Sequence, residues 1–201
     1  MKRAGPIRNR SGEEPRVLEF ENQQAWEEWL SCHHTTDTGV WLRLPKKGSN
    51  GPALSHLEAL ESALCFGWID AQKKPESAAA WLERFTPRGE RSIWSKINRQ
   101  KALDLMECGR MRDRGLEQVR RAQQDGRWER AYDSPRTATV PQDFQAALDR
   151  NQKANQFFST LDRQNRYAIL FRIQTVKKAE TRARKIIEFV AMLEREEKIH
   201  P

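Results

Sequence analysis

Long apolar runs are missing from this 201-residue chain. No stretch approaches the ~20 apolar residues of a membrane span, so no membrane-crossing segment is expected. Cysteine is scarce. Cys32, Cys65 and Cys108 are odd in number and show no C-x-x-C spacing, which supports neither a disulfide framework nor a zinc knuckle and predicts free thiols. The opening Met-Lys-Arg-Ala-Gly-Pro-Ile-Arg-Asn-Arg lacks the apolar run of a secretory signal, and the expectation is a cytoplasmic protein. G-x-x-x-x-G-K-[ST], G-x-G-x-x-G after a strand, H-E-x-x-H and G-x-S-x-G are all absent. Their absence removes the common nucleotide, dinucleotide, zinc-protease and hydrolase machinery at motif level, and neither a cofactor nor a metal is expected.

What the chain does contain is a foldable composition with an uneven charge. Hydrophobic residues make up 37%, and seven Trp with eight Phe are far too many for a disordered polymer. A globular chain of this length buries roughly 70% of its unfolded surface. Net charge is +8, and between Arg150 and Glu188 ten basic residues face three acids. Between Arg84 and Lys101 there are six against one. Both segments attract phosphate, nucleic acid or an acidic protein surface, or else form a solvated basic face.

In chain order, residues 1–15 carry Gly, Pro, Ser and basic residues with hardly an apolar anchor and read as a disordered tail. Val17–Phe20 reads as a short strand. Asn22 caps a helix with Trp26, Trp29 and Leu30 on one face, and Val40–Leu44 is a strand ended by Pro45. Lys46 to Pro52 is a flexible basic turn. Ser55 with Glu58 forms a capping box for a helix that buries Leu57, Leu60, Ala63 and Leu64, with Gly67 at its left-handed end. Trp68–Lys73 and Ala80–Phe85 are strands, and helices follow over 98–108 and 113–125. Residues 127–140 show no period and read as a linker. Helices with a basic exterior then fill 141–201, the last burying Ala183, Ile186, Ile187, Val190 and Leu193 with Arg182 and Lys185 outward. The expected fold class is α+β, a small antiparallel sheet flanked by helices in a module over 16–126, followed by a C-terminal helical bundle.

Candidate functional residues cluster between Asp70 and Asn98. Asp70 lies between Ile69 and Ala71 on a strand, and a carboxylate buried there needs a partner such as Arg88 or a backbone amide. Thr86-Pro-Arg88 fixes the backbone before an arginine. Ser92-Ile-Trp-Ser-Lys-Ile-Asn98 places hydroxyl and amide groups where a helix begins and its N–H groups are unpaired, beside Arg88, Arg91 and Lys96. Asp70, Arg88, Ser92, Trp94, Ser95 and Asn98 thus compose a candidate anion site. The plainer alternative is that Ser95 or Asn98 caps the helix while Trp94 fills the core. Lys177, Lys178, Arg182, Arg184 and Lys185 form a second basic surface, placed against the dipole of the helix they start. Cys65, at a helix C-terminus, gains no thiolate stabilisation and reads as structural. His33, His34 and Asp37 lack a recognisable metal spacing, and a histidine at a helix C-terminus is favoured by the dipole alone.

These motifs carry a resemblance. Ala63-Leu-Cys-Phe-Gly-Trp-Ile-Asp70, Phe85-Thr-Pro-Arg88, Ser92-x-Trp-Ser-Lys-x-Asn98, Gly109-Arg-Met111, Ala122 to Gly126 with Trp128, and Glu180-Thr-Arg182-x-Arg184 resemble the YdeI/OmpD-associated family, also described as bacteriocin-protection proteins. The resemblance spans roughly Trp26 to Leu193. It implies protection against bacteriocins or envelope stress and association with an outer-membrane porin, and brings no catalytic residues with it. The absence of a signal favours a cytoplasmic role over direct porin contact. The leading expectation is a non-enzymatic, stress-protective protein binding an anionic small molecule or acidic protein surface. Nucleic-acid binding through the C-terminal basic helices is the alternative, and an enzyme using Asp70 as acid or base comes third, since no paired nucleophile accompanies it.

Overall fold

The computed structural model describes residues 16–46, 48 and 53–201; the tail reading of 1–15 and most of the basic turn lie outside these. Among the described residues there are four strands and eight helices, an α+β architecture. No helix among them is long and apolar enough to cross a membrane. The described residues divide into two compact units, one comprising those up to 92 together with 100–126, the other 93–99 and 127–201.

The sheet of the first unit is mixed rather than antiparallel. Its order is β1 (Val17–Leu18), β2 (Val40–Pro45), β4 (Ala80–Pro87), β3 (Trp68–Pro75), with β1 parallel to β2 and the other pairs antiparallel. The parallel pair has a local cause. Helix α1 (Gln23–His33) lies between β1 and β2, and an intervening helix lets the second strand run in the same direction as the first. Asn22 accepts from the Ala25 amide at 2.9 Å and starts α1, while the Ser55–Glu58 capping box starts α2 (His56–Cys65). Trp26 is fully buried, its indole N–H donating to the Ala59 carbonyl and its ring 6.0 Å from Phe85. Leu57 is 51% exposed rather than buried; the buried arc of α2 centres on Ala59, Leu60 and Ala63.

Two glycines let α2 end against α4 (Asp113–Gln124). Gly67 has φ +75°, the left-handed conformation that a helix end favours. Gly115 is a close approach: a Cβ there would sit 2.4 Å from the Cys65 carbonyl oxygen. Helix α3 (Lys96–Glu107) contains the boundary between the units.

In the second unit, α5 (Gln142–Asp149), α6 (Gln152–Thr160), α7 (Arg163–Gln174) and α8 (Ala179–Glu194) enclose a core of Phe144, Leu148, Phe158, Ile169, Ile173 and Leu193. Residues 127–140 contribute buried Trp128 and Ala131 to this unit. Ile187 is 69% exposed, since the inward arc of α8 runs through Ile186, Phe189 and Leu193.

Candidate functional site

The β3–β4 pair gathers chemistry that the linear pattern conceals. Asp70 pairs with Phe85 and Lys73 pairs with Glu83, with a register shift between Asp70 and Gln72. Phe85 and Glu83 are two apart and share one face of the sheet. The irregularity supplies an extra residue in β3, so Asp70 and Lys73, which a regular strand would send to opposite faces, come to the same one.

Glu83 has no exposed surface. Lys73 Nζ lies 3.1 Å from one of its oxygens and His56 Nε2, in the first turn of α2, lies 3.1 Å from the other. Charge contact and hydrogen bonding diverge here, because neither carboxylate oxygen receives a hydrogen bond of normal geometry. We take the contacts as charge compensation without directional bonding. The ligand atoms of His56, Asp70 and Glu83 all lie within 4.8 Å of one another. Trp81 closes the cluster, its ring 5.5 Å from that of His56 and 4.3 Å from Lys73 Nζ.

A groove of about 420 Å³ adjoins these residues, lined by Pro45, Lys46, Lys73, Lys74, Pro75 and Trp81. Lys74 Nζ stands 4.7 Å over the Trp41 ring. The groove is thus lined by three lysines and an apolar wall of Pro45, Pro75 and Trp81; the Lys46 ammonium donates to the Ser77 carbonyl and that of Lys73 meets Glu83.

The residues expected to form one pocket fall in different units. Asp70, Arg88 and Ser92 belong to the first, Trp94, Ser95 and Asn98 to the second. Asp70 stands with His56 and Glu83. Arg88 is buried, and its backbone N–H donates to the Gly67 carbonyl. Ser92 Oγ accepts from the Gly89 amide at 3.0 Å. Ser95 Oγ accepts from the Asn98 amide at 3.0 Å, which is the capping role, and Trp94 is buried with its ring 4.9 Å from Trp128, the core-filling role. His56, Lys73, Trp81 and Glu83 escaped the sequence reading. One signal was present: an acid, Glu83, between Trp81 and Phe85 on the alternation that places Phe85 in the core.

Arg182, expected outward, is turned into the second unit. Its guanidinium donates to Asp143 at 2.6 and 2.9 Å and to the Ile173 carbonyl at 2.7 Å. The Arg182 hydrogen bonds hold the Asp143 carboxyl below the ordinary carboxylate range. This ion pair retains a cation in the first turn of α8 against the helix dipole. Lys185 and Arg184 both approach Glu188, at 3.0 and 3.7 Å, while Lys177 lines a niche with Arg127, Arg130, Gln174 and Thr175. His33 and His34 each place Nδ1 2.8 Å from a carbonyl of their own helix, those of Trp29 and Leu30. Burial pushes the Cys65 thiol up to about 11, consistent with a structural cysteine.

Comparisons with known proteins bear on both units. A family model described as "Domain of unknown function (DUF8412)" matches residues 18–118. One described as "Bacteriocin-protection, YdeI or OmpD-Associated" matches residues 137–196, so this match covers the helices α5 to α8, while the motifs between Ala63 and Asn98 fall within the other. No curated protein and no solved structure matches the chain.

Proposed function

We propose, for a chain that belongs to the DUF8412 family and carries a YdeI/OmpD-associated domain over 137–196, a protective binding role in which the first unit takes an anionic ligand with a flat apolar portion. The lining of the groove is the observation that carries this reading: Lys46, Lys73 and Lys74 together with Trp81, Pro45 and Pro75, with the Lys73 ammonium over the Trp81 ring. Ammonium groups meet the anion, and the indole face offers stacking to a flat ring beside them. The net charge of +8 adds a general attraction for anions. Bacteriocin protection is the role that the description of the 137–196 domain suggests for the whole.

Thermal unfolding against nucleoside monophosphates, aromatic carboxylates and inorganic phosphate tests the groove. A ligand at a hundred times its dissociation constant adds about 2.7 kcal/mol, which raises Tm by roughly 5–10 °C for a chain of this size. That shift is expected to vanish in Trp81→Ala and in the double variant Lys46→Ala, Lys74→Ala. Equal shifts in wild type and both variants would place the ligand elsewhere and overturn the assignment.

A second reading, nucleic-acid binding through the other unit, is favoured by its exposed cations Arg130, Lys177, Lys178 and Arg184. Affinity for a duplex oligonucleotide would then fall with salt at a slope of roughly −0.9 per phosphate contact.

A further inference from the structure

We infer that His56, Asp70 and Glu83 form a binding site for a divalent transition-metal cation of the zinc class. Two independent observations converge on it. The first is the donor set: an imidazole nitrogen and two carboxylates within 4.8 Å of one another, drawn from α2, β3 and β4. Two ligands of one tetrahedral zinc ion stand roughly 3.4 Å apart, given bond lengths of about 2.0–2.1 Å. Half-exposed His56 and Asp70 need only small side-chain rotations to close that difference.

The second observation is the state of Glu83. It is wholly buried, yet neither oxygen receives a hydrogen bond of normal geometry. His56 Nε2 lies 3.1 Å from Glu83 and 3.4 Å from the Lys73 ammonium. Whichever way the imidazole proton sits, Nε2 serves only one of these neighbours. Protonated, it faces an ammonium; unprotonated, it turns a lone pair on a carboxylate oxygen. A divalent cation accepts both lone pairs at once and removes the conflict. Lys73, 3.1 Å from Glu83, is the protein's own cation at this place, so metal and lysine compete for the carboxylate.

Mixed imidazole and carboxylate ligation suits zinc and its first-row neighbours better than the all-oxygen preference of magnesium or calcium. Three protein ligands are the number found in zinc sites that keep a position for water or an exogenous group. Lys73 and Trp81 border both this cluster and the groove, so an anion in the groove lies beside the metal. The metal site itself does not depend on the anion reading.

Calorimetric titration of the chelator-treated 201-residue chain with Zn²⁺, without any anionic ligand, tests the site. The wild type is expected to bind one equivalent. Glu83→Gln and His56→Ala are expected to weaken binding by roughly a hundredfold or more, since even partners behind the ligands are worth about 10–100-fold. Lys73→Met is expected to bind more tightly, because the competing ammonium is gone. An ion-pair cluster with no metal role predicts the reverse: no saturable binding in the wild type or in Lys73→Met, which overturns the proposal. Binding that Glu83→Gln and His56→Ala leave unchanged also overturns it, by placing the ion on other groups. Loss of the anion-induced Tm shift in the Lys46 and Lys74 variant with zinc binding intact would separate the two sites.

Discussion

A carboxylate without exposed surface, such as Glu83, is costly unless neighbouring groups meet its charge, and its two neighbours are not equivalent to it. Removing the charge itself is mild: Glu83→Gln is close to isosteric, and eliminating a buried ionised group is often neutral or stabilising. Removing Lys73 is worse, because the carboxylate keeps only His56. Lys73→Met is expected to cost about 1–3 kcal/mol in urea unfolding, against a near-zero change for Glu83→Gln. Equal losses in the two variants would show that Glu83 does not carry a buried charge. Cys65 makes a separate prediction. It is 2% exposed and its thiol is pushed up to about 11, whereas Cys32 and Cys108 are exposed. Iodoacetamide at mild pH should alkylate Cys32 and Cys108 in the native protein and reach Cys65 only on unfolding, as read by mass spectrometry. Native labelling of Cys65 at the same rate would contradict its burial.

Between elements, small contacts set large penalties. Gly115→Ala places a methyl group 2.4 Å from the Cys65 carbonyl oxygen and 2.7 Å from that of Leu64, both backbone atoms at the end of α2. Neither α2 nor α4 can yield by a rotamer change, so a loss of about 1–3 kcal/mol is expected in chemical denaturation of the first unit. In the second unit Arg182 joins α8 to α5 through Asp143 and to α7 through the Ile173 carbonyl. The Asp143 side chain is 47% exposed, so solvent screening reduces the ion pair, and Arg182→Ala should cost about 1 kcal/mol. The pH dependence has a definite sign. The Asp143 carboxyl is held low by its Arg182 hydrogen bonds. Its stabilisation is therefore fully present above the ordinary aspartate value of about 3.9 and is lost as pH falls through the lowered folded value. The stability gap between wild type and Arg182→Ala should accordingly be constant near neutrality and close in acid. A gap that persists under strongly acidic conditions would mean that Arg182 acts by its contacts with α7 alone.

At the scale of the whole molecule, the charge of +8 and the two units make salt the variable that separates the functional readings. Binding of a compact anion in the groove uses a few ammonium groups and a stacking face, so its affinity falls gently as salt is raised. A polyanion on the second unit releases counterions at every phosphate contact and loses affinity steeply. Oligonucleotide and nucleotide titrations at low and moderate salt should therefore diverge. If the small anion proved as salt-sensitive as the oligonucleotide, stacking on Trp81 would contribute little.

The same division by range explains what could be read from the chain alone. The caps at Asn22 and Ser55, the end of α2 at Gly67, the strands at Val40, Trp68 and Ala80, and the helical 141–201 segment follow from residues within a few positions of one another. Local propensity and periodicity therefore revealed them. The roles of Ser95 as a cap and Trp94 as core were likewise written in local spacing. His56 and Glu83 are 27 positions apart, and their meeting depends on where α2 lands on the sheet. That Lys73 joins Asp70 depends on an irregularity in strand register that no residue type announces. The sequence by itself determined the elements and their ends, because those are settled by neighbours along the backbone. Only the tertiary structure decided which charged side chains share the Glu83 cluster, because register and packing act across the chain.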